Sequence, residues 1–232
     1  MTFDTAIVTG AGQGFGLALT TALSARGTTV VACARDGRRL SASTAGLPGV
    51  VATPGDVTDP AFREALVATA RRHGGLDLLV HNAGELGPSP LPVLERYPLD
   101  ALRGVLETTV LAPLALTQLA LPMLRASASG TVVSLSSDAA VEAYLGWGGY
   151  GAAKAALDQL TAVLAVEEPS LRVHAFDPGD MRTAMHQRAF PGEDISDRPE
   201  PATVVPALLR LLDERLPSGR YRAADLAAGS TL

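Results

Sequence analysis

Short runs of β-branched and apolar residues alternate along this chain with longer stretches whose apolar positions recur at helical spacing. Thr5-Ala6-Ile7-Val8-Thr9 reads as a first strand. A glycine-rich turn follows, then an Ala/Leu-rich helix from about Gly14 to Arg26, closed by Gly27, a residue type that commonly ends helices. Thr28 to Cys33 is a second strand and Val50 to Thr53 a weak third. Asp59 is placed as an N-cap with Pro60 at the first helical position, starting a helix that runs to about His73. Leu76 to His81 is a near-continuous apolar run, the pattern of a strand buried on both faces. A long helix is expected from about Leu99 to Arg125, bent or broken by Pro113 and Pro122. Thr131 to Leu135 is a fifth strand, Tyr150 to Val166 a helix, and Arg172 to Phe176 a sixth strand. Residues 179–201 read as irregular, with three prolines and mixed charge. A helix from Ala202 to Arg215 and a last short strand near Arg220 complete the pattern.

Strands alternating with helices imply βαβ units, right-handed crossovers and a mainly parallel sheet. The expected fold class is α/β: a single doubly wound Rossmann-type domain with seven strands, covering residues 1–232. There is no internal repeat, low-complexity tract or linker to divide it. Apolar residues make up 47% and charged residues 19%, a globular balance that argues against disorder. The net charge of -5 disfavours nucleic acid and anionic membrane as partners. The one cysteine, Cys33, can form neither an intrachain disulfide nor a zinc cluster, so no metal is expected, and it reads as a small buried hydrophobe. Met1-Thr2-Phe3-Asp4 leads straight into a strand with no basic-then-apolar leader, and no uninterrupted apolar run approaches the roughly 18 residues of a membrane span. A cytoplasmic location is the expectation.

Chemistry enters at the first strand–helix junction, Thr9-Gly10-Ala11-Gly12-Gln13-Gly14-Phe15-Gly16. Gly10 permits a tight turn, Gly14 lets backbone approach a pyrophosphate, and Gly16 lets the helix pack closely on the sheet. The helix N-terminus offers free N–H groups and a positive dipole end to phosphate. The second strand then ends in Ala34-Arg35, with Arg38 and Arg39 close behind. A carboxylate there would bond a ribose 2′-hydroxyl, whereas an arginine accommodates a 2′-phosphate, so NADP(H) is the expected cofactor. Asp36 is placed to neutralise part of the charge of Arg35. Farther along, Tyr150 and Lys154 stand one helical turn apart on one face. A tyrosine hydroxyl titrates near 10, and a neighbouring ammonium lowers that value toward the range useful for acid–base work.

The spacing Thr-Gly-x-x-x-Gly-x-Gly, together with Tyr-x-x-x-Lys, resembles the short-chain dehydrogenase/reductase family. The resemblance runs through five motifs in order over about residues 4 to 183. It implies that Asp56 contacts the adenine ring with Val57 packed beside it. His81-Asn82-Ala83-Gly84 is similar to the family's Asn-Asn-Ala-Gly, with Asn82 holding adjacent loops, Ala83 and Gly84 passing near the cofactor, and His81 structural. Ser137 lies thirteen positions before Tyr150, the family separation, and its hydroxyl would orient the substrate beside that of Tyr150. Lys154 would bond the nicotinamide ribose. Asp177-Pro178-Gly179 resembles the family's Pro-Gly motif, and Thr183 stands where a threonine bonds the nicotinamide carboxamide. Met181 and Met185 are placed to line the pocket or the core.

Three departures stand out. Gln13 occupies a place that is often basic in NADP-binding members. Ala34 replaces the acid of NAD-binding members. Thr109 takes the position of an asparagine that helps hold a proton-relay water, so the relay is expected to be altered. The reading is an NADP(H)-dependent oxidoreductase acting on a small carbonyl or alcohol, with Tyr150 as acid/base and the segment at about 185–201 as substrate loop. An isomerase, epimerase or cyclase without net redox, or a non-catalytic cofactor-binding protein, is the alternative. The resemblance also implies a homodimer or homotetramer; the stretches Leu111 to Leu121 and Ala152 to Val166 suit such pairing and equally suit packing on the sheet.

Overall fold

The sheet reverses its order of winding at its first strand. In the computed structural model, which describes residues 3–227, seven strands lie in the order β3-β2-β1-β4-β5-β6-β7. They are β1 (Thr5–Thr9), β2 (Thr29–Ala34), β3 (Val50–Pro54), β4 (Leu78–His81), β5 (Thr131–Leu135), β6 (Arg172–Asp177) and β7 (Gly219–Arg222). Every neighbouring pair is parallel, so the sheet is wholly rather than mainly parallel. The chain winds outward from β1 through β2 and β3, then crosses back to β4 and winds the other way. The connections leaving β1 and β4 therefore diverge and open a crevice at the carboxyl ends of those two strands.

Alternation along the strands divides the core in two. Ala6 and Val8 of β1 face helices α1 (Gly14–Ala25) and α8 (Pro201–Asp213), against Leu19, Leu23, Leu208 and Leu211. Ile7 points the other way, with Val31, Leu79 and Val132, onto α3 (Pro60–Arg72) and α5 (Ala112–Ala126). Because both faces are covered, the central strands are apolar at nearly every position. Cys33 belongs to the second layer; burial pushes its thiol up to about 12, which leaves it a small apolar filler. Asp59 caps α3 as expected, accepting from the Ala61 amide at 2.9 Å.

Three segments depart from the sequence pattern. Helix α2 (Gly37–Thr44) was not expected, because it is polar and only eight residues long; Asp36 caps it by accepting from the Arg39 amide at 3.0 Å. The long helix consists of α4 (Leu99–Leu106), one π-helical stretch (Glu107–Leu111) and α5. The irregularity is thus a π-helical stretch that ends just before Pro113, whose missing N–H leaves the Thr109 carbonyl inside that stretch without its usual donor, while the helix runs on through exposed Pro122. The run Leu99–Ala126 is long and apolar enough, by length and composition, to cross a membrane; here 44% of its apolar window is buried, packed on α3 and β4. Finally, the irregular stretch at 179–201 contains α7 (Ala184–Ala189), capped by Thr183, whose hydroxyl accepts from the His186 amide at 3.1 Å. Six residues are too few to show a helical period. Helix α6 (Gly148–Glu167) follows β5, and a short α9 (Ala223–Ala227) follows β7.

His81 is buried at the end of β4 and pairs through Nε2 with Thr117 Oγ1 at 2.8 Å. Burial pulls its pKa down to about 3, and that of His174 on β6 to about 4. Both rings are neutral when folded yet take a proton near 6.5 when unfolded. The unfolded chain therefore binds more protons between those values, and stability falls as pH drops below about 6.5. His81→Asn is expected to make that acid-side loss shallower, by up to about 1.4 kcal/mol per pH unit. Chemical denaturation at pH 7, 6 and 5 checks this; equal slopes in both proteins would count against it.

Candidate active site

A cavity of about 870 Å³ opens above the carboxyl ends of β1, β2 and β4. Gly10, Gly12, Gln13, Gly14 and Phe15 form its floor, and Arg35, Asp56, Val57, Asn82, Ala83, Gly84 and Thr183 complete the wall. The glycines are dictated by backbone shape and by close approach. Gly10 has φ +67°, and a Cβ there would lie 2.8 Å from Asn82 Nδ2. Gly14 has φ +57° and faces Thr183 across the cleft, with a Cβ position 3.5 Å from its methyl. Gly16 does not line the cavity. Its Cβ position is 2.5 Å from the Gly10 carbonyl oxygen and 2.4 Å from Asn82 Nδ2, so it is a packing glycine that seats α1 beneath the loop. Asn82 locks the arrangement from β4: its Nδ2 donates to the carbonyls of Thr9 at 2.9 Å and Gly10 at 3.1 Å. The Thr9 hydroxyl in turn accepts from the amides of Asn82 and Ala83, each at 3.0 Å.

The basic residues at this cleft are not arranged as the sequence suggested. Asp36 does not face Arg35; it caps α2 and pairs with Arg39 at 3.7 Å, and Arg39 also bonds Gln13. Arg35 instead reaches across the mouth to Glu85 at 3.3 Å. Glu85 holds Arg188 of α7 at 3.3 Å as well, and Arg188 donates to the Gly87 carbonyl at 3.0 Å. Sequence reasoning passed over Glu85. Its position directly after the Asn-Ala-Gly stretch was the available signal. Arg38 is exposed on α2 and does not line the cleft.

A smaller cavity of about 110 Å³ adjoins the first; Met181, Thr183 and Met185 line both. Ser137, Tyr150, Pro178 and Gly179 lie here and not in the larger cleft. Ser137 follows β5, where its hydroxyl accepts from the Ala139 amide at 3.2 Å and donates to Asp138 at 2.8 Å. Its nearness to the Tyr150 hydroxyl acts toward the phenolate. Burial outweighs that contact, and Asp138, Asp177 and Asp180 act in the same direction as burial, so the Tyr150 hydroxyl is held well above its ordinary pKa. The net lowering expected from the Lys154 ammonium is absent, because it stands 5.6 Å from the ring centroid while burial and three carboxylates act on the phenol. Lys154 is itself buried, one turn along α6, and donates to the Leu135 carbonyl at 2.5 Å. Burial lowers its pKa to about 8, against the pull of Asp158 and Asp177.

Beneath these groups lies a network that the sequence did not reveal. Arg220 of β7 binds Asp158 of α6 and Asp177 of β6, each at 3.0 Å, and donates to the Ser137 carbonyl at 2.9 Å. Asp158 accepts from the buried Ser136 hydroxyl at 2.6 Å, and Asp177 accepts from the Gly179 amide at 3.0 Å. One guanidinium thus ties together the supports of Ser137, of the Lys154 helix and of the Pro178-Gly179 turn. Thr109 is buried in the π-helical stretch, and its hydroxyl accepts from the Glu85 amide at 3.3 Å. A Cβ placed on Gly84 would be 3.9 Å from both Thr109 Oγ1 and Lys154 Nζ, so these two polar groups flank the same glycine. Among the described residues, no group of three or more His, Cys, Asp or Glu side chains is placed to hold a metal ion.

The short chain dehydrogenase family model matches residues 4–194, which carry the smaller cavity and most of the lining of the larger one. This chain belongs to the short-chain dehydrogenase/reductase family. Members of the family are oxidoreductases that bind a nicotinamide cofactor. The uncharacterized oxidoreductase YciK of Escherichia coli (strain K12) is 39% identical over 140 residues, 60% of this chain and 55% of that protein. The chain therefore matches just over half the length of YciK. The L-fucose dehydrogenase of Bos taurus is 35% identical over 202 residues, 86% of this chain and 72% of that enzyme. Among solved structures, a chain assigned as a short chain dehydrogenase from Escherichia coli CFT073, complexed with NADPH, superposes with TM-score 0.87 at 30% identity, covering 96% of this chain and 97% of that one. A short-chain dehydrogenase from Streptomyces avermitilis gives 0.84 at 31% identity, covering 97% and 91%. The cleft of this family member fits a dinucleotide: its size is that of a cofactor site, and its floor is a glycine cradle that side chains would fill.

Proposed function

We propose that this short-chain dehydrogenase/reductase is an NADP(H)-dependent oxidoreductase that interconverts a small carbonyl compound and its alcohol. One observation carries the reading: Ser137 and Tyr150 share a small cavity that adjoins the glycine-floored cleft through Met181, Thr183 and Met185, with buried Lys154 over the tyrosine ring. The bound cofactor would supply or accept the hydride. Backbone amides of the glycine loop and the N-terminus of α1 would hold its pyrophosphate, Arg35 a 2′-phosphate, and Asp56 and Val57 the adenine. Lys154 would hold the nicotinamide ribose and Thr183 the carboxamide. Thr183 already accepts from the His186 amide, which leaves its own proton to donate. In the reductive direction, Ser137 orients the carbonyl oxygen and Tyr150 gives it a proton. Residues 1–232 act as one unit, with the segment at about 185–201, including α7, forming the substrate wall.

The same reading makes Arg35 the selector between NADPH and NADH. Among the described residues its exposed guanidinium is held by a single carboxylate at 3.3 Å, so a phosphate can displace that contact. Arg35→Ser is expected to weaken NADPH binding about 10- to 100-fold, the worth of one or two charge-assisted bonds, and to leave NADH binding near its original value. Titration of cofactor fluorescence with both proteins decides this; an equal loss for the two cofactors would refute the assignment.

A homo-oligomer built on α5 and α6 accords with the apolar side chains left exposed there, among them Leu114, Leu119, Val163 and Val166. Leu119→Asp combined with Val163→Asp is expected to turn an oligomer into monomers in sedimentation velocity. A double variant with unchanged mass would count against this face.

A further inference from the structure

The smaller cavity differs in charge from the larger cleft. Asp138, Asp177 and Asp180 line it, and no lysine or arginine does. Arg220 offsets Asp177 at 3.0 Å. Asp180 stands 3.7 Å from Arg198 and 3.7 Å from His186 Nδ1. Asp138 makes no ion pair among the described residues; its carboxylate accepts only from Ser137, Ala139 and Tyr144, at 2.8, 2.8 and 3.1 Å. An anion in this cavity would meet an uncompensated carboxylate beside the reacting groups.

His186 adds a second, independent feature. It lines the same cavity, is 8% exposed, and its Nε2 has no hydrogen-bond partner. Its Nδ1 lies 3.7 Å from Asp180, an ion-pair distance and not a hydrogen bond, so Nε2 is left as the buried polar atom without a partner. Such an atom costs stability unless something pairs with it. A hydroxyl or amino group on the substrate suits it in either ring tautomer, because each can donate or accept. Trp147 forms the apolar wall, edge-on to Tyr150 with centroids 5.6 Å apart and 5.9 Å from Phe190.

We propose that this pocket takes a ring-bearing, uncharged or cationic carbonyl compound with a hydroxyl or amino group beside the carbonyl, which pairs with His186 Nε2, and that Asp138 excludes carboxylates and phosphates. The proposal rests on reading Ser137 and Tyr150 as the carbonyl site.

Trp147 is the sole tryptophan of the chain, so its fluorescence reports the pocket directly and without turnover. Titrations of the full chain with and without NADP⁺ would use acetophenone, 2-hydroxyacetophenone, 2-aminoacetophenone and phenylglyoxylate. The hydroxy and amino ketones are expected to bind about tenfold tighter than acetophenone, and phenylglyoxylate at least about tenfold weaker, the value of one hydrogen bond or one repulsion. His186→Phe should erase the difference between 2-hydroxyacetophenone and acetophenone. Asp138→Asn should improve phenylglyoxylate binding about fivefold or more, by removing a nearby like charge. Phenylglyoxylate binding as tightly as 2-hydroxyacetophenone, ratios untouched by both variants, or no Trp147 response to any ligand would each overturn the proposal. NADPH oxidation is measured separately. The expected binding order without turnover would refute the oxidoreductase reading and keep the pocket assignment. Turnover that favours phenylglyoxylate would do the reverse.

Discussion

Tyr150→Phe is expected to lower kcat about 10³-fold while the NADPH dissociation constant changes less than about twofold. The size follows from removing a positioned proton donor, an effect of about 10²–10⁴. The variant keeps the ring that packs edge-on to Trp147 at 5.6 Å, so the cavity wall is preserved and only the hydroxyl is lost. The larger cleft is lined by the glycine loop and by the ends of β2 and β4, not by Tyr150, which is why cofactor affinity is spared. Stopped-flow reduction of a carbonyl panel and a cofactor titration together provide the check. A variant with wild-type turnover would remove Tyr150 from the chemistry. A variant unable to bind NADPH would show that the hydroxyl is structural.

The second large effect is expected at Arg220. Arg220→Leu should destabilise the protein by about 2–4 kcal/mol, a little below the cost of breaking a fully buried pair because the arginine is partly exposed. For a chain of this length that is a fall in Tm of about 5–12 °C. The reason is what the substitution leaves behind. Asp177 is 4% exposed and Asp158 already has one buried oxygen with no partner, so both carboxylates would lose their shared counter-charge. Function should fall with it, since the Ser137 carbonyl loses its donor and the Asp177-Gly179 turn loses its anchor. Arg220→Lys should recover part of the stability but little of the activity, because one ammonium cannot span two carboxylates and a carbonyl in the same geometry. Calorimetry with steady-state kinetics at low temperature separates the two effects. An Arg220→Leu protein with unchanged Tm and kcat would show that the network is incidental.

The legible parts of this molecule share one property: each is encoded within a few consecutive residues. The strand Thr5–Thr9 and the strand Thr131–Leu135 were readable to the residue because apolar runs between glycine or polar punctuation need no distant partner to be recognised. The glycine loop was readable because positive φ at Gly10 and Gly14 is a local backbone demand. The same holds for the Asp59 cap on α3 and for the one-turn spacing of Tyr150 and Lys154 on α6. Short or polar elements were lost: α2 and α7 have eight and six residues, and no hydrophobic period can be seen over that length. The bend expected from the prolines takes the form of a π-helical stretch before Pro113, a change of hydrogen-bond register that no apolar pattern records.

The sequence by itself determined the strand–helix alternation and the glycine loop, which follow from backbone sterics and periodicity acting over short spans, while the Ser137, Tyr150, Lys154 set came from the family resemblance. Only the tertiary structure decided how charges pair. Arg35 meets Glu85 fifty residues away, Arg220 gathers Asp158 and Asp177, and Asp36 turns to its own helix instead. Only the fold decided that the Tyr150 hydroxyl is held above its ordinary value, because burial and converging carboxylates are set by what packs around a group, and no spacing along the chain records them.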